Sequence, residues 1–211
     1  MTGPVTILTH DYSWSVLKRK YGEIVGNQKY TVLKDNIFIG WGATILAGSY
    51  IGENTIIGAG SVVSGHLEGN AVYAGNPARK IMSLDEFYHK RKVKQLDEAV
   101  DYVKKYEERF GCIPSVEKLD EYFYLFFAPM DKEQKELFTY KLNLMGNYDA
   151  SLEAAMKRNR KFASYDDFIE YCKMNGGGKQ WINGKLDIQR SILCCFVYRS
   201  MKLPEYLIHF F

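Results

Sequence analysis

Residues 33–64 carry an aliphatic side chain at every sixth position, and this period is the strongest constraint on the fold. The six positions are Leu33, Ile39, Ile45, Ile51, Ile57 and Val63. A period of six fits neither the 3.6-residue turn of an α-helix nor the simple alternation of a β-strand. It fits a parallel β-helix, in which each six residues form one short strand and a corner. Gly40, Gly52 and Gly58 directly follow three of the aliphatic residues, where the chain must turn.

Three segments of the chain resemble the hexapeptide-repeat acyltransferases, which fold as a left-handed parallel β-helix. These segments are ILTHDYS at residues 7–13, the repeats with IGWGATIL and IGAGSVV, and AGNPARKI at residues 74–81. The resemblance is to the sugar O-acetyltransferase branch, which includes galactoside and maltose acetyltransferases and capsule-modifying relatives. The expected fold is therefore a left-handed parallel β-helix, short at its N-terminal end, followed by a small all-α region.

We expect the β-helix domain in residues 1–83, with a long loop of residues 11–32 inserted into it. Residues 1–9 are predicted as a strand, and the six hexads make two turns if three strands form one turn, as in the resembled family. That family usually has further N-terminal turns. The open end would therefore be covered by another subunit or element, or would adjoin a part of the enzyme that lies outside this chain.

From residue 84 onward the apolar period changes to 3.6, which predicts a helical accessory domain over residues 84–175. Ser83 and Glu86 have the spacing of a capping box, which predicts that a helix begins there. Five short helices are expected, at residues 84–110, 115–127, 131–145, 148–158 and 165–174. The aromatic cluster at residues 122–127 favours a core over a ligand site.

Residues 176–211 change in character after three consecutive glycines, and the resemblance to the acyltransferases does not extend to them. Two apolar segments in this tail, residues 192–198 and 206–211, would dock on the helical domain, or the tail would form a hairpin around Asn183 and Gly184. We predict no definite fold for it.

Composition restricts the compartments in which the protein could work and the kinds of partner that it could bind. The net charge of +3 over 211 residues, without a nucleic-acid-binding motif, does not indicate a DNA- or RNA-binding protein. There is no signal peptide and no apolar run of about 20 residues that could span a membrane. The four cysteines include no CxxC pair, which favours free thiols in a reducing compartment. These features predict a cytoplasmic protein without a membrane span.

His10 follows a predicted strand at the point where the sixfold register breaks. Acetyl transfer to a hydroxyl needs a base to accept the proton, and histidine suits this because its pKa lies near the working pH. Position and context match the catalytic histidine of the resembled family, so the resemblance implies that His10 is the general base. The alternative is that His10 is a histidine at the rim of the coil without a function. Asp11 and Glu23 are weaker candidates for orienting the imidazole or for binding the acceptor.

The resemblance also implies acetyl-CoA as the donor. Trp41, Ala59, Ser64 and Gly65 occupy the family's donor-contacting positions, although the family often has a lysine where Gly65 stands, and Trp41 is unusually large. Arg79 and Lys80 are predicted partners for the CoA phosphates, because arginine binds phosphate in a bidentate manner.

The predicted function is transfer of an acetyl group from acetyl-CoA to a sugar hydroxyl, in the synthesis of a surface or capsular polysaccharide. A homotrimer is expected because the resembled family builds its active sites between neighbouring subunits. Two alternatives stay open: a non-catalytic or truncated trimeric scaffold, and an N-acetyltransferase of an amino sugar. A γ-class carbonic anhydrase would need three histidines on zinc, whereas only His10 and His66 lie in the predicted coil. No metal is therefore expected.

Overall fold

The computed structural model describes residues 3–175, and the predicted tail of residues 176–211 lies outside the described residues. Within that range the chain forms β-strands first and α-helices afterwards. The strands are β1 (Thr6–Ile7), β2 (Val32–Leu33), β3 (Ile37–Ile39), β4 (Thr44–Ile45), β5 (Tyr50–Ile51), β6 (Thr55–Ile57), β7 (Val62–Val63), β8 (His66–Leu67), β9 (Ala71–Ala74) and β10 (Arg79–Ser83). The helices are α1 (Trp14–Tyr21), α2 (Leu84–Phe110), α3 (Lys132–Asn143), α4 (Tyr148–Lys157) and α5 (Tyr165–Asn175).

Each of the first six strands pairs in parallel with the strand three places further along the chain. This pairing produces a first sheet β1-β4-β7, a second sheet β2-β5-β8 and a third sheet β3-β6-β9. Strand β10 then adds to β9 in the antiparallel direction. Three successive strands therefore form one turn of a parallel coil, and the described chain has three turns.

The prediction of two turns was wrong, because three strands lie outside the sixfold register. Strand β1 is separated from the repeats by the insertion, yet it pairs with β4. Strands β8 and β9 follow Val63 at spacings of four and then six residues, from Val63 to Leu67 and on to Tyr73. The inward columns nevertheless continue through them, since Ile51 pairs with Leu67 and Ile57 with Tyr73.

The interior of the coil consists of one inward side chain per strand. Ile45, Ile51, Ile57 and Val63 have no exposed surface, as the hexad pattern predicts. Each such aliphatic side chain contributes about 1.5–3 kcal/mol by its removal from water. In the first turn the equivalent residue Ile7 is 41% exposed, because no further strand lies beyond β1 among the described residues.

Two kinds of corner residue bring successive turns close together. A Cβ atom on Gly52 would lie 2.3 Å from the backbone nitrogen of Gly69, so only glycine fits at that corner. At another corner Asn36, Asn54 and Asn70 share a left-handed backbone with φ of 54–55°. Their side chains form a ladder: Asn36 Nδ2 donates to Asn54 Oδ1 over 2.8 Å, and Asn54 Nδ2 to Asn70 Oδ1 over 3.1 Å.

The insertion between β1 and β2 was predicted to be a loop over its whole length. The structure differs from this prediction, because residues 14–21 form α1. This helix ends where Gly22 adopts a left-handed conformation with φ of 82° and donates its N–H to Lys18 O. No residue of α1 is buried, so the helix stands on the outside of the coil.

Helix α2 begins with the predicted capping box. The Ser83 hydroxyl accepts from the Glu86 N–H, and the Glu86 carboxylate accepts from the Ser83 N–H. The predicted starts of α3 and α5 are also confirmed, because Asp131 and Ser164 accept from amides three residues on. Helix α2 runs for 27 residues and is therefore not short.

The helix predicted over residues 115–127 was wrong. The structure has two short 3₁₀ helices there, Val116–Leu119 and Phe123–Leu125. Five of the six residues at 122–127 are aromatic, and aromatic residues have modest helix propensity. The tighter turn lets Phe123, Phe126 and Phe127 all enter one core.

Two separate clusters of buried side chains lie on either side of Ser83. The first is the interior of the coil, and the second is an aromatic cluster between the helices. Phe126, Phe127, Phe138 and Phe168 are fully buried in the second cluster, where the Phe123 and Phe138 rings stack with centroids 4.4 Å apart. These aromatic residues therefore form a core, as predicted.

Candidate active site

His10 lies just beyond the end of β1, where the chain leaves the coil. Its backbone forms an antiparallel bridge with Gln28, and the Lys29 N–H donates to Thr9 O over 2.8 Å. The two ends of the insertion are thereby held together beside the imidazole. The side chain of His10 is exposed, so a ligand can reach it from solvent.

The His10 imidazole lies within hydrogen-bonding distance of the neighbouring threonine hydroxyl. Thr9 Oγ1 lies 3.2 Å from His10 Nδ1. If Nδ1 carries the proton and donates to Thr9 Oγ1, Nε2 is left with a free lone pair. A neutral imidazole accepts a proton at its unprotonated ring nitrogen, so in this tautomer Nε2 is the atom that can act as a base.

Asp11 closes the base of the insertion and makes no hydrogen bond to His10 in the described part of the chain. Its Oδ1 accepts from the Ser13 N–H over 2.9 Å, and its Oδ2 accepts from Asn27 Nδ2 over 2.6 Å. Hydrogen bonds from Ser13, and more weakly from Asn27, hold the pKa of Asp11 below its ordinary value. The carboxylate therefore shapes the insertion next to His10, which differs from the predicted orienting contact.

Glu23 lies after α1, in the outer half of the insertion, and is exposed. No hydrogen bond or ion pair joins it to His10 among residues 3–175. The insertion exposes several large apolar or aromatic side chains, namely Tyr12, Tyr21, Ile24 and Val25. Of these, the Tyr12 ring lies next to the imidazole, with its centroid 6.0 Å from that of His10.

The predicted donor residues flank the first sheet on two corners. Trp41 and Ala59 lie on the corner that precedes it, one turn apart, and the Gly60 N–H donates to Trp41 O over 2.8 Å. Ser64 and Gly65 lie on the corner that follows it, which is also the corner of His10 two turns away. The structure therefore places these residues along one side of the coil.

The donor corners offer room for a ligand. Ala59, Ser64 and Gly65 are exposed, and no atom lies within 4 Å of a Cβ placed on Gly65. Trp41 is 58% exposed, and its ring lies directly against Gly3, where a Cβ would be 1.7 Å from Trp41 Cε3. One side of this ring is thus covered by the chain's own N-terminal segment.

Arg79 and Lys80 open strand β10 at the last turn of the coil, and both are exposed. Arg79 Nη1 donates to Ala78 O over 3.1 Å. Neither cation forms an ion pair within 4 Å in the described residues. Both are therefore free to bind an anion at this end of the coil.

Two arrangements near the site were not predicted. The Thr31 hydroxyl donates to Leu8 O over 2.7 Å and accepts from the Gly48 N–H, which ties the insertion to the second turn. His66, predicted as a rim residue, stacks face to face on Tyr50 with ring centroids 4.3 Å apart and an interplanar angle of 4°. Their spacing of sixteen residues, close to one turn, was the signal that could have revealed this pair.

Among residues 3–175, no group of three or more histidine, cysteine or acidic side chains is arranged to hold a metal ion. In that same part of the chain, no helix is both long and apolar enough to cross a lipid bilayer.

Comparison with known proteins identifies the repeats. Residues 30–65 match the family model described as "Bacterial transferase hexapeptide (six repeats)". A galactoside O-acetyltransferase of Lactococcus lactis subsp. lactis (strain IL1403) is 37% identical over 106 residues, which are 47% of this chain and 50% of that protein. A 2,3,4,5-tetrahydropyridine-2,6-dicarboxylate N-acetyltransferase of Clostridium perfringens (strain SM101 / Type A) is 38% identical over 74 residues, 35% of this chain and 29% of that protein.

The solved structures that resemble the chain include a galactoside acetyltransferase in complex with coenzyme A. That match is 29% identical, covers 43% of each chain and has a TM-score of 0.35, too low to define the fold of the whole chain. The chain spans between about a quarter and a half of the length of the curated relatives it matches. Within those limits, residues 30–65 are a hexapeptide-repeat segment of the bacterial transferase type, and the resemblance to the sugar O-acetyltransferase branch is confirmed.

Proposed function

We propose that the protein is an acetyl-CoA-dependent O-acetyltransferase that modifies a sugar hydroxyl, in the synthesis of a surface or capsular polysaccharide. The observation that carries this proposal is the position of His10. It is exposed at the end of β1, on the same corner of the hexapeptide coil as the exposed Ser64 and Gly65. The Lactococcus relative, which matches about half of this chain, supports a sugar acceptor.

In the proposed reaction His10 acts as the general base. Its Nε2 takes the proton of the acceptor hydroxyl as that oxygen attacks the thioester carbonyl of acetyl-CoA. The new C–O bond forms, the C–S bond breaks, and the proton passes from His10 to the departing CoA thiolate. A base of this kind contributes about 10²–10⁴ in rate.

Thr9 positions the base in this scheme. In the tautomer that the reaction uses, its hydroxyl accepts a hydrogen bond from Nδ1–H, which orients the ring and leaves Nε2 free. Asp11 does not contact the imidazole in this scheme. Its hydrogen bonds to Ser13 and Asn27 hold the two ends of the insertion beside His10.

The donor would lie along the corners that flank the first sheet. Ala59, Ser64 and Gly65 are exposed and leave room for the pantetheine arm. Arg79 and Lys80 would bind the CoA phosphates, for which they have free N–H donors. Trp41 would form one wall of this groove, and Glu23 would contact the acceptor.

We further propose a cytoplasmic homotrimer of left-handed β-helices in residues 1–83, with an accessory helical domain in residues 84–175. The exposed apolar residues of the insertion support an assembly in which it covers a neighbouring subunit. A non-catalytic scaffold remains the alternative that the partly exposed Ile7 favours. N-acetylation of an amino sugar is a second alternative, favoured by the similarity to the Clostridium N-acetyltransferase.

The test is a CoA-release assay with a panel of hydroxyl-only and amine-bearing sugar acceptors. We expect turnover on a hydroxyl acceptor and a fall of about 10²–10⁴ in kcat for His10→Ala. Thr9→Val should lower kcat by about tenfold with little change in KM, because it removes the hydrogen bond that orients the imidazole while leaving the binding surface intact.

His89→Ala is the matched control, since His89 is an exposed histidine on α2 and not part of any strand of the coil. It should keep the full rate. Full activity of His10→Ala would refute the assignment of the base. Turnover restricted to amine acceptors would favour the N-acetyltransferase, and absence of both turnover and saturable acetyl-CoA binding would favour the scaffold.

A further inference from the structure

The second sheet carries a column of stacked side chains on its outer face. Tyr50 on β5 and His66 on β8 are register partners, and their rings lie parallel at 4.3 Å between centroids. Lys34 Nζ lies 5.9 Å from the Tyr50 ring centroid on the preceding turn. The rings therefore stack along the direction in which the turns of the coil succeed one another.

This stack ends with one face of the imidazole open. Strand β8 is the edge of its sheet, so no further strand supplies a partner for His66 within the described chain. The His66 side chain keeps 57% of its surface exposed. A planar aromatic group of a ligand could therefore continue the stack at a separation that Tyr50 and His66 already show.

The charges near His66 indicate which part of a ligand would fit. Glu68 Oε1 lies 3.2 Å from His66 Nε2 and is itself exposed. A carboxylate there repels phosphate groups but not an uncharged aromatic base. The unpaired cations Arg79 and Lys80 lie on the strand that closes the last turn, at the same end of the coil.

His66 also directly follows the corner proposed to take the donor. Gly65 adopts φ of 75°, and nothing lies within 4 Å of a Cβ placed on it, so a ligand on this corner can pass on to the imidazole. We propose that the open face of His66 stacks on the adenine ring of CoA, which makes His66 a donor-binding residue. This inference rests on the proposed function, because it presumes CoA as the donor.

The test separates the adenine half of the donor from the pantetheine half. Dissociation constants for CoA and for 4′-phosphopantetheine are measured by calorimetry on the full chain. His66→Ala should weaken CoA binding by about tenfold, since stacking of a base on an aromatic side chain has an effect of this order. Binding of 4′-phosphopantetheine, which has no adenine, should be unchanged.

His66→Phe keeps a flat ring and should bind CoA within about twofold of the wild-type protein. His89→Ala should bind both ligands like the wild type. Equal CoA affinity in His66→Ala and wild type would overturn the inference, as would an equal loss for both ligands. A raised acceptor KM with unchanged CoA binding would instead assign the ring face to the sugar and would also overturn it.

The wild-type protein separates this inference from the proposed function. If wild-type protein shows no saturable CoA binding, the proposed donor is wrong, and the role of His66 falls with it. If wild-type protein binds CoA and turns over a sugar, only the His66 variants decide the matter.

Discussion

The coil and the helical region bury apolar side chains in different ways. The coil places single aliphatic residues in columns, one per strand, and its turns approach so closely that Gly52 has backbone atoms where a Cβ would stand. The helical region packs large aromatic rings such as Phe126 and Phe138 at varied angles. The coil thus depends on backbone geometry, whereas the helical core depends on side-chain volume.

The largest expected effect is in the helical core. Phe126→Ala should lower the stability of that region by about 3–5 kcal/mol, because it removes a fully buried ring and leaves a cavity. Peptide-resolved hydrogen exchange should show faster opening over residues 84–175 and little change in the coil. Tyr140→Ala, at an exposed position of α3, is the control and should have almost no effect. Equal acceleration in coil and helices would show that the two cores are one cooperative unit.

Adding a single methyl group to the coil should be almost as damaging. Gly52→Ala puts a Cβ against the backbone of Gly69 and should cost about 3 kcal/mol. Gly60→Ala is the matched control, since Gly60 has φ of 67° but no atom within 4 Å of a Cβ, so only backbone strain of about 1 kcal/mol applies. Hydrogen exchange of the strand amides measures both. If Gly52→Ala and Gly60→Ala lowered the stability equally, the turns of the coil could move apart, and the coil would not depend on its backbone geometry.

The asparagine ladder should contribute less than either core. Asn54→Gly keeps a residue suited to the left-handed backbone but removes both ladder bonds, with an expected cost of about 1 kcal/mol. Asn36→Gly removes only one bond and should cost about half as much. Both variants add a glycine to the unfolded chain, so their difference isolates the second bond. Identical protection of the corner amides in the two variants would exclude a role for the ladder.

The smallest effect concerns thiol chemistry in the helical region and does not change stability. Burial raises the pKa of Cys172 to about 11. The thiolate is the reactive form, so at pH 8 only about 0.1% of Cys172 is ionised, and its reactivity should rise as the pH approaches 11. Cys112 is exposed. Iodoacetamide at pH 8, followed by peptide mass mapping, should label Cys112 and spare Cys172; rapid labelling of Cys172 would show that the helical core opens readily.

The same contrast explains what the sequence could predict. The period of six located β2–β7, because each strand must supply an inward aliphatic residue at a fixed spacing. The period of six did not predict that the inward columns continue into Leu67 and Tyr73. The spacing between inward residues falls to four from Val63 to Leu67, although the strands still pair in parallel with those of the preceding turn. In the helical region, caps such as Ser83 and Asp131 set the helix starts. The aromatic run at residues 122–127 has no comparable local signal, and tertiary packing set its backbone.

The candidate site divides along similar lines. The break in register predicted that His10 stands where the chain leaves the coil, since a side chain at a register break cannot continue an inward column. The partners of Asp11 were not predictable, because Asn27 lies sixteen positions further along the chain and approaches Asp11 only when the insertion has folded back. The stack of His66 on Tyr50 likewise depends on pairing between turns. Local pattern locates a residue on the coil, and pairing between turns decides what it contacts.

The closed base of the insertion has a consequence for how such proteins can diversify. The bonds from Lys29 to Thr9 and from Asn27 to Asp11 fasten both ends of this segment to each other, and Thr31 fastens it to the coil. Residues 12–26 can therefore change in length or sequence while the scaffold stays the same, because loop length has only a weak entropic cost. Variation in this segment would change the surroundings of His10 without requiring a new fold.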